Sequence, residues 1–257
     1  MNNSEKRLWL IKYLLSEDGR YADIEIPQSA GEQFRLYRSL VNVRMPSPVS
    51  DEYLRIEDEY LSELNENKGI TRLSDLTPVK EDVYIWQGDI TSLACGAIVN
   101  AANSQLLGCF VPCHACIDNC IHTFSGVRLR KSCEEIMKKQ GKPEATGRAK
   151  ITPAYNLPCE YVIHTVGPII FDKVREEDER LLASCYTECL KLADENEIES
   201  IAFCCISTGE FHFPNGRATE IAVKTVLDYK EKTKSKIKVI FNVFKDIDLE
   251  FYNRILK

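Results

Sequence analysis

No stretch of the 257 residues is apolar for long enough to span a membrane. The best apolar run near the start, Leu8 to Leu15, is interrupted by Lys12 and leads into Ser16-Glu17-Asp18. It lacks a small-residue cleavage site, so it does not read as a secretory signal. No Lys/Arg run dominates any segment, and the formal net charge of −6 argues against nucleic acid as a main partner. Internal repeats and low-complexity segments are missing as well. With 44% hydrophobic and 28% charged residues, the chain reads as soluble and globular. The expected compartment is the cytosol, and the length suits one large domain, alone or with a smaller companion.

Cysteine, in contrast, is in excess. Eleven is an odd number, the spacing is uneven and there is no secretory signal, which together argue against a disulfide framework. In a reducing compartment such density points to metal ligands, a reactive thiol or core filling. Four of the eleven fall between Cys109 and Cys120.

Residues 1–77 read as helical, with no obvious strand. Ser29-Ala-Gly-Glu32 fits a capping box, and Phe34, Tyr37, Leu40 and Val41 then recur at helical spacing. After Pro46 and Pro48 a third helix follows Ser50, carries Tyr53, Tyr60, Leu61 and Leu64 on one side, and ends at Gly69. From Asp82 the texture changes. Strands are expected at Val83–Gln87, Ala97–Asn100, Ala149–Pro153, Tyr161–Val166, Ser200–Ile206 and Lys236–Val243. Helices are expected at Ile117–Lys139, Glu176–Glu195 and Asn215–Lys232. This alternation predicts an α/β fold with a sheet covered on both faces. The near-continuous apolar run Ile201–Ile206 fits a strand buried on both sides. Ligands of such sheets sit beyond the carboxyl ends of the strands.

Cys109, His114 and Cys116 have the spacing C-x4-H-x-C. Two thiolates and an imidazole suit Zn²⁺. Three ligands within eight residues leave one coordination position for water or substrate, as in catalytic sites. Cys113, Cys120 and His122 compete for the same role, and small buried residues at a helix start are the plain alternative. Gln87-Gly-Asp-Ile-Thr91 and Ile98-Val-Asn-Ala-Ala-Asn103 each end a strand. The Asp could meet an amine or hydroxyl and an Asn a sugar hydroxyl, yet either motif alone is equally an ordinary turn. Ser207-Thr-Gly-Glu-Phe211 could offer backbone N–H groups to a diphosphate.

These elements, with Tyr161-Val-Ile-His-Thr-Val-Gly-Pro168 and Cys205-Ile-Ser-Thr-Gly209, resemble in order the signatures of the macrodomain family. The resemblance covers residues 78–257 and implies a three-layer α/β/α domain with a mixed central sheet that binds ADP-ribose. Gly108-Cys-Phe-Val-Pro-Cys-His-Ala-Cys-Ile-Asp-Asn119 replaces the Gly-rich stretch of many members. It is similar to the zinc-dependent branch of protein-ADP-ribose hydrolases, often encoded beside a sirtuin-type ADP-ribosyltransferase that acts on a carrier protein. The N-terminal helices are similar to that branch too.

The resemblance places zinc on Cys109, His114 and Cys116 and makes Cys113 and Cys120 bystanders. It puts adenine at Asp89 and Ile90 and the distal ribose at Asn103. Phosphate falls at Ile117 and Asp118, on a helix start. Ser207, Thr208, Gly209, Glu210 and Phe211 would wrap the diphosphate and distal ribose. The expected activity is zinc-assisted removal of mono-ADP-ribose from proteins, with Asn103, Cys109, His114 and Cys116 as its catalytic group. A non-catalytic ADP-ribose reader and a hydrolase of O-acetyl-ADP-ribose are the alternatives. No glycosidase-type acid/base pair is visible; Asp118 and Glu210 are the nearest carboxylates. The extra N-terminal helices are a candidate docking face for a protein substrate.

Overall fold

The computed structural model describes residues 1–257. Three helices come first: α1 (Asn3–Ser16), α2 (Ala30–Val43) and α3 (Asp51–Lys68). Each begins on a side chain that takes up an otherwise orphaned N–H. Asn2 accepts from Glu5, Ser29 from Glu32 and Ser50 from Tyr53. The capping box expected at Ser29 is only half formed. Glu32 accepts from the Ser29 hydroxyl at 2.6 Å, so its carboxylate does not reach the Ser29 backbone N–H. Gly69 ends α3 as expected, at φ +89°. The three helices meet in a small core that includes Leu10, Tyr37, Tyr53, Tyr60 and Leu61. Phe34 and Leu64 also pack against the larger core beyond it.

The first 77 residues do contain a strand. β1 (Thr71–Arg72) pairs in parallel with β4 (Leu93–Ala94), a two-residue ladder too short to leave an alternation in the sequence. The main sheet runs β2-β3-β9-β8-β5-β7-β6. Its strands are β2 (Pro78–Lys80), β3 (Val83–Gln87), β5 (Ala97–Ala102), β6 (Ala149–Pro153), β7 (Tyr161–Val166), β8 (Ser200–Phe203) and β9 (Lys238–Val243). The five central strands are parallel; β2 and β6 run antiparallel at the edges. This is the mixed sheet expected.

Five helices flank it: α4 (Ile117–Ser125), α5 (Val127–Gln140), α6 (Glu176–Glu195), α7 (Asn215–Thr233) and α8 (Asp246–Leu256). Phe203 and Phe241 are register partners on β8 and β9 and point to one face. There they meet Tyr186 of α6 and Tyr252 of α8, each pair with ring centres 4.9 Å apart. Asn100 and His164 are register partners on β5 and β7 and point to the other face, where Asp118 of α4 and Cys133 of α5 meet them. No helix is long and apolar enough to cross a membrane.

Several expected boundaries move: β5 runs on to Ala102 and β9 starts only at Lys238, and two larger changes have a visible cause. The single helix Ile117–Lys139 breaks at Gly126, which sits at φ +93°. A Cβ there would come within 2.7 Å of Glu57 Oε2, so the close approach of α3 requires glycine. The strand expected over Ser200–Ile206 ends at Phe203, opposite Val99 and Phe241. Cys204–Ile206 leave the ladder and carry the chain into the loop at Ser207.

Candidate functional site

A cavity of about 900 Å³ opens beyond the carboxyl ends of β3, β5, β8 and β9, where a parallel sheet collects ligands. All the residues to which the family resemblance gave a role border it, whereas the rival ligands Cys113 and His122 do not. Asp89 and Ile90 line it after β3, and Asn103 after β5. Cys109, His114, Cys116, Ile117 and Asp118 come from the loop leading into α4, and Ser207, Thr208, Gly209, Glu210 and Phe211 from the loop after β8.

Asp89 is held on two sides. Its Oδ1 accepts from the Thr91 N–H and hydroxyl, at 2.9 and 2.7 Å, and Lys68 Nζ lies 2.7 Å from Oδ2. Burial alone would raise its pKa, but the Lys68 ammonium and the Thr91 bonds outweigh it and hold the carboxyl below its ordinary value. A fixed carboxylate with spare lone pairs therefore borders the cavity.

Asn103 is equally fixed. Its Nδ2 donates to Gly108 O at 3.1 Å, and its Oδ1 accepts from Gln105 N–H at 3.0 Å. Gly108 adopts φ +80°, and a Cβ there would fall 2.8 Å from the His122 ring, so only glycine presents that carbonyl.

Two sets of backbone donors border the cavity. Ile117 and Asp118 open α4, and their N–H groups precede the first helical acceptor. On the other loop, the N–H groups of Ser207, Gly209, Glu210 and Phe211 make no hydrogen bond within the chain. Ser207 adopts φ +66°, with its hydroxyl buried and unpartnered. A non-glycine residue held there stores strain. Donors of this kind on both loops suit a diphosphate.

The ligating atoms of Cys109, His114 and Cys116 lie within 4.8 Å of one another, all three residues half-buried. Sulfur and nitrogen ligands at about 2.3 and 2.1 Å on a tetrahedral ion stand about 3.6 Å apart. Cys109 Sγ and His114 Nδ1 are 3.7 Å apart. The other ring nitrogen, His114 Nε2, is 3.7 Å from Glu210 Oε1, beyond hydrogen-bond range but on the side where a ligating histidine ordinarily donates. Burial pushes the Cys116 thiol up to about 12, against the pull of the Asn119 N–H. A thiolate there needs a cation beside it. Donor type and separation thus fit zinc. Cys113 and Cys120 stand outside the trio. Cys113 Sγ lies 3.2 Å from Ser39 Oγ, and Cys120 Sγ is 3.5 Å from Arg38.

A second cluster, His122, Cys133 and His164, is buried throughout. Asn100 Nδ2 donates both to Asp118 Oδ1 and to His164 Nδ1, at 2.8 and 3.1 Å. His164 Nε2 must then carry the proton, which it gives to Thr152 Oγ1 at 2.9 Å. No lone pair is left on His164 for a metal, and burial takes its pKa down to about 3, keeping it neutral. The same network holds Asp118, whose carboxyl burial raises to about 6 against the Asn100 bond.

Sequence reasoning missed several residues on the cavity wall, among them Phe110, Asn242, Phe244, Lys245 and Asp248. The last four follow or end β9, where the rule that drew attention to the other strand ends applies equally. Phe244, 76% exposed at the rim, carries the plainest signal.

The pattern described as Macro domain matches residues 99–222. A protein from Treponema medium named protein-ADP-ribose hydrolase is 56% identical over all of both chains. A Fusarium oxysporum protein named probable bifunctional ADP-ribose hydrolase/ADP-ribosyltransferase is 41% identical over 86% of this chain and 40% of its own length. Among solved structures, the Trypanosoma brucei macrodomain in complex with ADP-ribose superposes with a TM-score of 0.67 at 26% identity. That likeness covers 90% of this chain and 97% of the other. With its mixed sheet, its cavity at the strand ends and a relative alike from end to end, the chain belongs to the macrodomain family.

Proposed function

We propose that the chain removes mono-ADP-ribose from modified proteins by hydrolysing the bond between C1 of the distal ribose and a protein side chain, with a zinc ion held by Cys109, His114 and Cys116. One observation carries this reading: the metal-fitting trio lies on the wall of the same cavity as Asn103 and the two sets of backbone donors. The name of the Treponema medium relative supports hydrolysis, and the Trypanosoma brucei complex supports ADP-ribose as the ligand.

The chain's own groups divide the work by position. Asp89 and Ile90 take the adenine end. The N–H groups of Ile117 and Asp118 on one side, and of Ser207, Gly209, Glu210 and Phe211 on the other, hold the diphosphate. Asn103, its amide fixed from both sides, orients the distal ribose, and positioning of this kind lowers the barrier before any bond breaks. Zinc, when bound, supplies Lewis acidity toward an oxygen at the distal-ribose end. Cleavage at C1 develops positive charge on the sugar, which favours metal action through oxygen over action at the carbon. The Fusarium relative, whose name joins a hydrolase to a transferase, supports pairing this chain with an ADP-ribosyltransferase. The sequence resemblance points to one of the sirtuin type acting on a carrier protein.

The test is incubation of the purified chain with proteins mono-ADP-ribosylated through several linkages, with free ADP-ribose followed by mass spectrometry. Release is expected from at least one linkage. Tight ADP-ribose binding with no release from any of them would contradict the reading.

A further inference from the structure

The N-terminal helices reach the metal loop through one side chain. Arg38 of α2 donates from its guanidinium to the His114 carbonyl at 2.7 Å and to Asn119 Oδ1 at 2.8 and 3.2 Å. Because the cation holds that amide oxygen, the orientation of the Asn119 side chain is settled: its NH₂ points back at the loop. It donates to the carbonyls of Cys109 and Val111, at 3.3 and 2.9 Å. The backbone N–H of Asn119 donates to Cys116 Sγ at 3.4 Å. Each of the three metal-fitting residues is therefore one hydrogen bond from the Arg38–Asn119 pair: Cys109 and His114 by their carbonyls, Cys116 by its sulfur.

The pair sits in a setting that keeps it rigid. Asn119 is fully buried and Arg38 half-buried. The next turns of α2 hold the loop's outer side. Asn42 Oδ1 accepts from Cys113 N–H at 2.9 Å, and Ser39 Oγ meets Cys113 Sγ. Cys113 adopts φ +54°, a conformation that local bonds must maintain in a non-glycine residue. A planar guanidinium that bridges two acceptors is not replaced by a lysine, which offers one compact charge on a flexible stem.

We infer that Arg38, acting through Asn119, is a positioning residue that presets Cys109, His114 and Cys116 for the metal, so that the site is built jointly by the N-terminal helices and the α/β domain. This rests on the zinc reading above. Partners one shell beyond the ligands ordinarily change metal affinity about 10–100-fold. Arg38 is half-buried and its hydrogen bonds all go to the metal loop and the first turn of α4, so its loss should reach the loop before it reaches the rest of the fold.

The experiment measures zinc affinity of the full-length chain by competition with a chromophoric chelator, and records the absorption of the cobalt-substituted protein. It compares the parent chain with Arg38→Met, Arg38→Lys and Asn119→Asp. Zinc affinity is expected to fall about 10–100-fold in Arg38→Met and Asn119→Asp. Arg38→Lys should recover only part of it, and the thiolate-to-cobalt bands should weaken or shift. The metal-free Arg38→Lys protein should melt close to the parent, whereas Arg38→Met strands Asn119 Oδ1 and Asn119→Asp faces an oxygen to the Cys109 and Val111 carbonyls, so both should melt lower while still folding. If Arg38→Met does not fold, Asn119→Asp, which keeps the contact with Arg38 and loses the donation to the loop, decides the matter. Unchanged affinity and cobalt spectra in the folded variants would overturn the inference alone. A parent chain that takes up no zinc would overturn the zinc reading and the inference with it.

Discussion

Replacing Cys116 with alanine is expected to slow ADP-ribose release at least about 100-fold, the scale of losing one preorganised electrostatic partner at a reacting centre. ADP-ribose affinity should change less, because the proposed adenine contacts at Asp89 and Ile90 and the proposed diphosphate donors of the Ser207–Phe211 loop do not depend on Cys116. Cys116 has two roles, and both are lost in alanine. It is one of the three metal-fitting donors, and it caps α4, its sulfur accepting from Asn119 N–H. Loss of a cap costs about 1 kcal/mol, which is small beside the predicted loss of rate. Cys116→Ser separates the two. A hydroxyl still caps a helix but is a poor ligand for zinc beside thiolate and imidazole. Serine should therefore restore stability and leave both turnover and metal content low. Single-turnover rates read beside metal content check this. Full activity in zinc-free Cys116→Ala would remove the trio from the mechanism.

The largest stability effect is expected at Glu57, which joins the helical region to the α/β domain. It lies on α3 and is 1% exposed. Its Oε1 accepts from the hydroxyls of Tyr37 and Tyr53 at 2.9 and 3.0 Å, and its Oε2 from the N–H of Val127, at the start of α5, at 2.9 Å. Alanine would leave all three donors without an acceptor, the two tyrosines fully buried and Val127 partly so. At about 1–3 kcal/mol for each group, the expected loss is about 3 kcal/mol or more. For a chain of this size that lowers the melting temperature by roughly 6–12 °C.

The effect carries a pH signature. Burial raises the Glu57 pKa above its ordinary 4.5, and the Val127 N–H and the two tyrosines recover only part of the shift. The folded protein thus holds this proton where the unfolded chain has released it. Its contribution to stability is complete below the unfolded value and shrinks as pH rises through the raised folded value. The gap between parent and Glu57→Ala should be widest below about pH 4.5 and narrow above it. Urea unfolding at a series of pH values measures this. A gap that widens with rising pH would mean that the carboxylate is favoured in the fold.

What the sequence disclosed depended on how local the cause was. Parallel strands buried on both faces are continuous apolar runs, so β8 was legible, but its end was not. Phe203 is the last residue with partners on both sides, and nothing in Cys204–Ile206 marks that. Gly126 breaks the helix expected from Ile117 onward because α3 brings Glu57 against it, from 69 residues earlier in the chain. Periodicity along a helix cannot register such a contact. α8 went unread although Asp248, Tyr252 and Leu256 are buried at helical spacing, since a buried aspartate interrupts the apolar stripe. At the site, three ligands within eight residues stood out. Their brace did not: Arg38 belongs to no motif and lies 81 positions before Asn119, which closes the loop motif without having been given a role.

The most direct test of zinc-assisted hydrolysis uses one preparation in three states: as purified, stripped by a strong chelator, and restored with zinc. ADP-ribose release from a mono-ADP-ribosylated protein and metal content are measured in each. Release that falls with the zinc and returns with it is the predicted result. Release that continues unchanged in protein shown to be free of zinc would contradict the account.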